Sequence, residues 1–255
     1  RYAERIQKSL FPSGREIEKL FGEHFVLLKP RDIVSGDFCW VGQTSEENPW
    51  KGGANLRLFA VVDCTGHGVP GALMSVLGKN ALDRCVDHPK VNSPASALAF
   101  INREILRALH QEQVEEGVRD GMDMVLCAYN PDTKTLHFSG AKNNVYIFRG
   151  GNFIELKGDR TSIGVAAVSS ASGFTDREFQ LEPGDVVYTF TDGLPDQFGG
   201  VHNKKLKTRP LLEFIAASAG RPMCEQKTAM DEFFEKWRGG CEQVDDICVA
   251  GIRVV

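Results

Sequence analysis

The sequence predicts an α+β protein in which largely antiparallel sheets pack together with helices outside. Two observations carry this. Short segments rich in β-branched and aromatic residues recur along the chain, several of them separated by the turn-forming runs NPDTK, KNN and GG. The helical segments come in two groups, so the regular βαβ alternation of a doubly wound parallel sheet is missing. The chain has 255 residues, no internal repeat and no low-complexity linker, and it reads as one large domain.

The elements follow in order. The opening RYAERIQKSLF places Tyr2, Ile6 and Leu10 four apart, with Phe11 beside the last. That is one apolar stripe on a short helix, ended by Pro12, Ser13 and Gly14. It packs on its own domain, or it is the end of a signalling helix arriving from upstream. HFVLLKP and DIVSGDFCWV read as strands, and the polar stretch 43–55 as a hairpin loop. LRLFAVVD is a near-continuous apolar run of strand length that ends on Asp63, hence a buried strand.

After the glycine-rich CTGHGVPG, the spacing of Leu73, Val76, Leu77, Asn80 and Ala81 predicts a helix over 72–86. Ser93 and Pro94 supply an N-cap and a first-turn proline for a helix through Leu109, with Leu98, Ile101, Ile105 and Leu109 on one face. MDMVLCAYN, TLHFSGA, VYIFRG, NFIELK, GFTDREFQL and GDVVYTFTDG read as strands. Helices near 210–217 and 226–237 and a last strand, DICVAGIRVV, close the chain.

Bulk properties exclude some functions. The net charge is −4 and no Lys/Arg-rich run stands out, which argues against nucleic acid as a partner. The cysteine count, seven, is odd, with no CxxC pair, so a disulfide framework or a zinc site is not expected. We read these cysteines as small buried hydrophobes in a reducing compartment. No apolar run approaches the roughly 18 residues that span a bilayer, and no signal peptide is visible. The chain opens on Arg1, so a piece of a longer protein is expected.

Aspartates carry the chemistry. Asp37 lies in VSGDF, Asp63 precedes CTGHG, Asp192 ends DVVYTFTDG, and Asp245 and Asp246 open the last strand in QVDDIC. Each sits where a β-rich segment meets Gly or another acid. A turn-capping role would satisfy any one of them. Several converging in one fold need a common partner, and oxygen ligands without His or Cys point to Mg²⁺ or Mn²⁺.

DCTGHGVPGAL, TFTDG and VDDICV, in this order after VSGDF, resemble the PPM (PP2C-like) phosphatases, and more narrowly their SpoIIE/RsbU-type bacterial regulatory branch. The resemblance covers roughly residues 6–254. It implies an αββα sandwich over 15–255, with 1–14 as a helical linker, and two Mn²⁺ or Mg²⁺ ions between the central sheets. Carried over, Asp63 would bridge both ions, the Cys64 carbonyl would join the first, and Asp192 and Asp245 would hold the second. Asp246 is the alternative to Asp245, since the doublet leaves the register open by one. Asp37 would orient the attacking water. No phosphoenzyme is required, so Cys64 is not expected to be a nucleophile.

Other residues carry two readings each. His67 is a candidate general acid for the leaving seryl oxygen, or it hydrogen-bonds within the glycine-rich turn. Asp123 in RDGMDM holds a third, weaker ion, or it sits at a strand start. Relatives of this branch often carry an Ala-Gly-His-Pro-like stretch where SGAKNN stands here; the His is replaced and Lys142 appears. Lys142 meets substrate phosphate or is a solvated hairpin lysine. Arg31, six residues before Asp37, is the candidate for the phosphate-gripping arginine. DQFGG and the polar run after it form a mobile loop that reads the protein substrate, or an ordinary connection.

The resemblance implies an enzyme that removes phosphate from a phosphoserine or phosphothreonine on an anti-sigma-factor antagonist. It also implies a cytoplasmic output domain attached to a sensor, with a HAMP-linked inner-membrane receptor as one architecture. The opening helix permits a homodimer. The competing reading is a catalytically weak module of the same fold that sequesters a partner-switching protein; it would have lost an acid, and none of the main positions is missing. A nuclease or phosphodiesterase lacks the His-rich ligands and basic surface it would need.

Overall fold

The computed structural model describes residues 2–47, 50–51, 53, 55–111, 120–164 and 173–255. Among the described residues, ten strands make two antiparallel sheets of five. The first sheet runs in the order β2 (Phe38–Gln43), β3 (Arg57–Cys64), β4 (Met122–Asn130), β5 (Thr135–Ala141) and β8 (Arg177–Gln180). The second runs β1 (His24–Lys29), β12 (Ile247–Arg253), β9 (Val186–Phe190), β6 (Val145–Arg149) and β7 (Asn152–Leu156). Helices α3 (Gly68–Val86) and α4 (Pro94–Ala108) cover the outer face of the first sheet, and α6 (Thr208–Ser218) and α7 (Met223–Arg238) cover that of the second. This is the expected four-layer αββα arrangement.

Side chains alternate between the two faces of a strand. Leu58, Ala60, Val62 and Cys64 of β3 join Met122, Met124, Leu126 and Ala128 of β4 under α3 and α4. The other parity, Phe59, Val125, Cys127 and Tyr129, fills the space between the sheets with Val187 of β9 and Ile252 of β12. Both faces of β3 are therefore covered, which is why its sequence is apolar nearly throughout. Asp63 and Asp123 occupy the inter-sheet parity and are register partners across β3 and β4. Asp37 continues the same row as Cys39.

The register also decides which strand ends coincide. Asp63 is the last residue but one of β3, Asp123 is the second residue of β4, Asp37 precedes β2, Asp192 follows β9, and Asp245 and Asp246 precede β12. Antiparallel pairing brings all six to one rim of the sandwich.

Some details differ from the sequence reading. The chain forms α1 (Tyr2–Leu10), but Tyr2 and Ile6 of the expected apolar stripe are exposed, and Gln7 is the residue that α1 buries. A second helix, α2 (Gly14–Phe21), follows, with Ser13 and Glu16 closing a reciprocal capping box. Residues 31–37 form no regular element, with bends at 31–34 and 36, and the strand begins only at Phe38. Helix α3 starts at Gly68 and buries Gly71, Met74, Ser75, Gly78 and Leu82, while Leu73 is exposed. Counting only apolar residues rotated its face, because small residues make the close contact. Gly78 shows why: a Cβ there would stand 3.0 Å from Met122 Cε and 3.2 Å from Phe38 Cζ.

The segment after Asp192 is a short helix, α5 (Gly193–Asp196), and a two-stranded ribbon of β10 (Phe198–Gly199) and β11 (Lys204–Lys205). It is tied down. Trp237 Nε1 donates to the Gln197 carbonyl at 2.9 Å, and Gln197 Nε2 donates to the Glu242 carbonyl at 2.9 Å. Of the two readings of this run, the ordinary connection describes its form: a ribbon stapled to α7. All seven cysteines are free; five are buried as expected, whereas Cys224 is exposed and Cys241 half-buried. Among the described residues no helix is long and apolar enough to cross a membrane.

Candidate metal centre

The rim collects carboxylates from both sheets. Asp63 lies on the first sheet and is half-buried. Burial, then the charges of Asp192, Asp245 and Asp123, push its carboxyl up to about 8. Asp192 comes from the second sheet; burial and then Asp245 and Asp196 raise it as well. The charge of Asp192 faces Asp63 from the other sheet and opposes its ionisation.

Asp37 is 2 % exposed, and its Oδ2 has no hydrogen-bond partner. Burial, then Asp63, with smaller contributions from Asp246 and Asp245, holds it well above the usual carboxylate range, although the Thr191 hydroxyl acts in the opposite sense. A buried carboxyl oxygen without a donor is costly. It marks a place where a cation or a bound water would be stabilising.

The acid doublet divides into two environments. Asp246 is 2 % exposed and spends its carboxylate on the backbone. Oδ1 accepts from Arg31 N at 2.7 Å and Oδ2 from Gly36 N at 2.7 Å. Asp245 is half-buried, and its Oδ1 accepts from the amide of Asp246 at 2.8 Å. Gly193 permits this approach: a Cβ there would lie 1.9 Å from the Asp246 carbonyl oxygen and 3.3 Å from Asp245 Cβ.

The loop that delivers Asp37 is clamped from three sides. Asp246 holds its two ends at Arg31 and Gly36. Gln7 of α1 accepts from Ser35 N at 3.0 Å and donates to Ser35 O at 2.6 Å and to Ser75 Oγ of α3 at 3.2 Å. His67 Nδ1 meets Asp32 Oδ2 at 2.8 Å. His67 also N-caps α3 through its backbone without a side-chain cap bond, so its imidazole is joined to the facing loop rather than to its own turn. The glycines of the motif make the approach possible. A Cβ on Gly36 would lie 2.7 Å from the Gly66 carbonyl oxygen and 3.3 Å from that of Cys64, and one on Gly71 would lie 2.2 Å from the former.

The remaining candidates are also at this rim. Asp123 accepts from Ser162 Oγ through Oδ1 and faces Lys142 Nζ at 3.5 Å through Oδ2. The exposed Arg31 directs Nη1 to the Val244 carbonyl at 3.0 Å. Cys64 is buried in apolar surroundings and its thiol is pushed well above its usual range, first by burial and then by Asp37, so its sulfur is not a ready nucleophile. Sequence reasoning missed Gln7, Asp32 and Thr191. Of these, only Thr191 had a signal, since it continues the inward row of Val187 and Thr189.

The donors fit a hard divalent cation: several carboxylates, a backbone carbonyl cradled against Gly36, and one orphaned oxygen on Asp37. Among the described residues no three His, Cys, Asp or Glu side chains are already closed into a ligand cage.

The model of the Stage II sporulation protein E (SpoIIE) family matches residues 55–255. No curated protein sequence matches the chain. The SiaA-PP2C domain of Pseudomonas aeruginosa superposes with a TM-score of 0.85 at 32% identity, covering 99% of this chain and 94% of that one. The PP2C phosphatase domain with a regulatory fragment of SpoIIE from Bacillus subtilis gives a TM-score of 0.66 at 17% identity, over 91% of this chain and 61% of that one. The catalytic domain of the serine/threonine phosphatase PstP, solved with 2 manganese ions, gives 0.62 at 15% identity over 91% of this chain and 97% of that one. The ordered acids, the four-layer fold and these matches agree, and the chain belongs to the SpoIIE family of PP2C-type serine/threonine phosphatases.

Proposed function

We propose that the acid rim binds two Mn²⁺ or Mg²⁺ ions and hydrolyses a phosphoserine or phosphothreonine on a regulatory protein of the anti-sigma-factor-antagonist type. The observation that carries this reading is the convergence of Asp37, Asp63, Asp192 and Asp245 from two sheets with a buried, unpartnered oxygen on Asp37. When bound, the ions supply a water of lowered pKa and neutralise charge on the phosphoryl oxygens.

The chain's own residues set the stage. Asp63, central on the rim, would hold the ions together with the Cys64 carbonyl beside it. Asp192 and Asp245 would join them from the second sheet. Asp245 is chosen over Asp246 because the latter's two oxygens are engaged by amides. Asp37 offers Oδ2 as an acceptor that orients the attacking water. Arg31 is the candidate to meet substrate phosphate, and His67, held by Asp32, is the candidate proton donor to the leaving oxygen. The likeness to the SiaA-PP2C domain supports the phosphatase reading, and we place the chain in a partner-switching context with a sensor upstream, as the sequence resemblance implies.

The test is to incubate the chain with phosphorylated antagonist proteins and follow loss of phosphate with Mn²⁺, with Mg²⁺ and with excess EDTA. Hydrolysis that needs the ion and disappears in EDTA is expected. Full activity in EDTA contradicts the metal mechanism, and loss of phosphate from nucleotides but from no protein contradicts the substrate.

A further inference from the structure

The acids of the rim are not equally in need of a cation. Asp37 keeps an oxygen with no partner. Asp63 and Asp192 face other acids, with Asp245 and Asp123 near both. Asp123 differs from all three, since Ser162 Oγ donates to one of its oxygens and the Lys142 ammonium stands 3.5 Å from the other. Among the described residues, Lys142 is the one Lys or Arg whose side chain pairs with any of the six rim aspartates.

The backbone gives a second, independent reason to take Lys142 seriously. It sits just beyond β5 with φ at +59°, in the left-handed region that costs an L-residue about 1 kcal/mol and suits glycine. Its amide donates to the Asp159 carbonyl at 2.7 Å, and it bridges Met124, next to Asp123 on β4. The conformation thus carries the side chain back over β4 toward Asp123. A lysine held where glycine would be unstrained is explained if its charge is used.

We propose that Lys142 is a built-in cation that takes the place of a third divalent ion at Asp123, so that this rim holds two metal ions and no more. This rests on the two-ion reading above. Removing the ammonium leaves Asp123 facing Asp63 across the strand pair without compensation, and a divalent ion is then the available neutraliser. The role is one of positioning and stoichiometry; Lys142 is not assigned a contact with substrate.

The experiment is Mn²⁺ titration of the chelator-stripped protein, followed by calorimetry and by the loss of the free-Mn²⁺ electron paramagnetic resonance signal. Wild type is expected to bind two ions. Lys142→Met, which keeps the stem and loses the charge, is expected to bind a third, Lys142→Arg to return to two, and Lys142→Met combined with Asp123→Asn to lose the third. Lys142→Gly should also gain the ion while melting a few degrees higher than wild type as the left-handed strain is relieved. Two ions with unchanged affinities in both Lys142→Met and Lys142→Gly, or three in wild type, overturns the inference alone. No Mn²⁺ bound by wild type overturns it together with the reading it rests on.

Discussion

The two ends of the sandwich are built from the same inward-facing rows and are opposite in chemistry. At one end, Phe59, Leu136, Val187 and Ile252 close against Phe21 of α2, whose ring meets Phe59 edge-on at 5.5 Å. At the other end the rows run out into Asp37, Asp63 and Asp123, facing Asp192 and Asp245. The apolar end gains free energy from burial. The acid end costs free energy, because burial and mutual repulsion oppose ionisation of every carboxyl whose titration they raise. The fold holds one end ready for a ligand by anchoring the other.

Substitutions at the two ends should therefore separate activity from stability. The largest effect on activity is expected for Asp63→Asn. Phosphatase turnover should fall by about a thousandfold or more, while the metal-free protein melts no lower than wild type; assays with an aryl phosphate and calorimetry read both. Phe59→Ala should do the reverse. It should cost about 3–5 kcal/mol of stability in urea unfolding, with turnover per folded molecule unchanged.

The acid doublet sharpens the comparison on a smaller scale. Asp245→Asn should weaken Mn²⁺ binding at least tenfold with little change in stability. Asp246→Asn should cost about 1–3 kcal/mol, because an amide offers a donor to one of the two backbone N–H groups, and should leave the number of bound ions intact. Gln7→Leu belongs to the same class. Losing both Ser35 bonds should lower turnover through a displaced Asp37 while Mn²⁺ stoichiometry stays the same.

The sign of the pH dependence follows from the raised acids. Asp63 ordinarily titrates at 3.8 and is held up to about 8. A carboxyl raised by folding contributes stability that is fully present below its unfolded pKa and is lost as pH rises through the folded value. The metal-free protein should thus lose melting temperature between about pH 4 and pH 8. Asp63→Asn should flatten that slope, and Mn²⁺ should offset it.

Most of the layers were legible in the sequence, because strand periodicity and turn residues are local signals. The strand ends carrying Asp63 and Asp192 could be read too, since an acid closing an apolar run is conspicuous. What the sequence withheld depends on register and on small residues. Asp245 and Asp246 are equivalent as neighbours, and only the pairing of β12 sends one carboxylate to the amides of Arg31 and Gly36. The buried face of α3 was missed because Gly71, Ser75 and Gly78 bury without being apolar. Gln7 was missed because a polar residue on a short helix gives no sign of being its most buried one.

The most direct test is the proton inventory of Mn²⁺ binding at pH 7, measured calorimetrically in buffers of different ionisation enthalpy. If the acid rim is the cation site, Mn²⁺ must displace the proton held on Asp63, whose carboxyl is pushed up to about 8 by burial and the neighbouring acids. Wild type should then bind the ion with net proton release, and Asp63→Asn should lose both the release and most of the affinity. Failure of wild type to bind Mn²⁺, or the same binding and the same release in Asp63→Asn, would contradict the account.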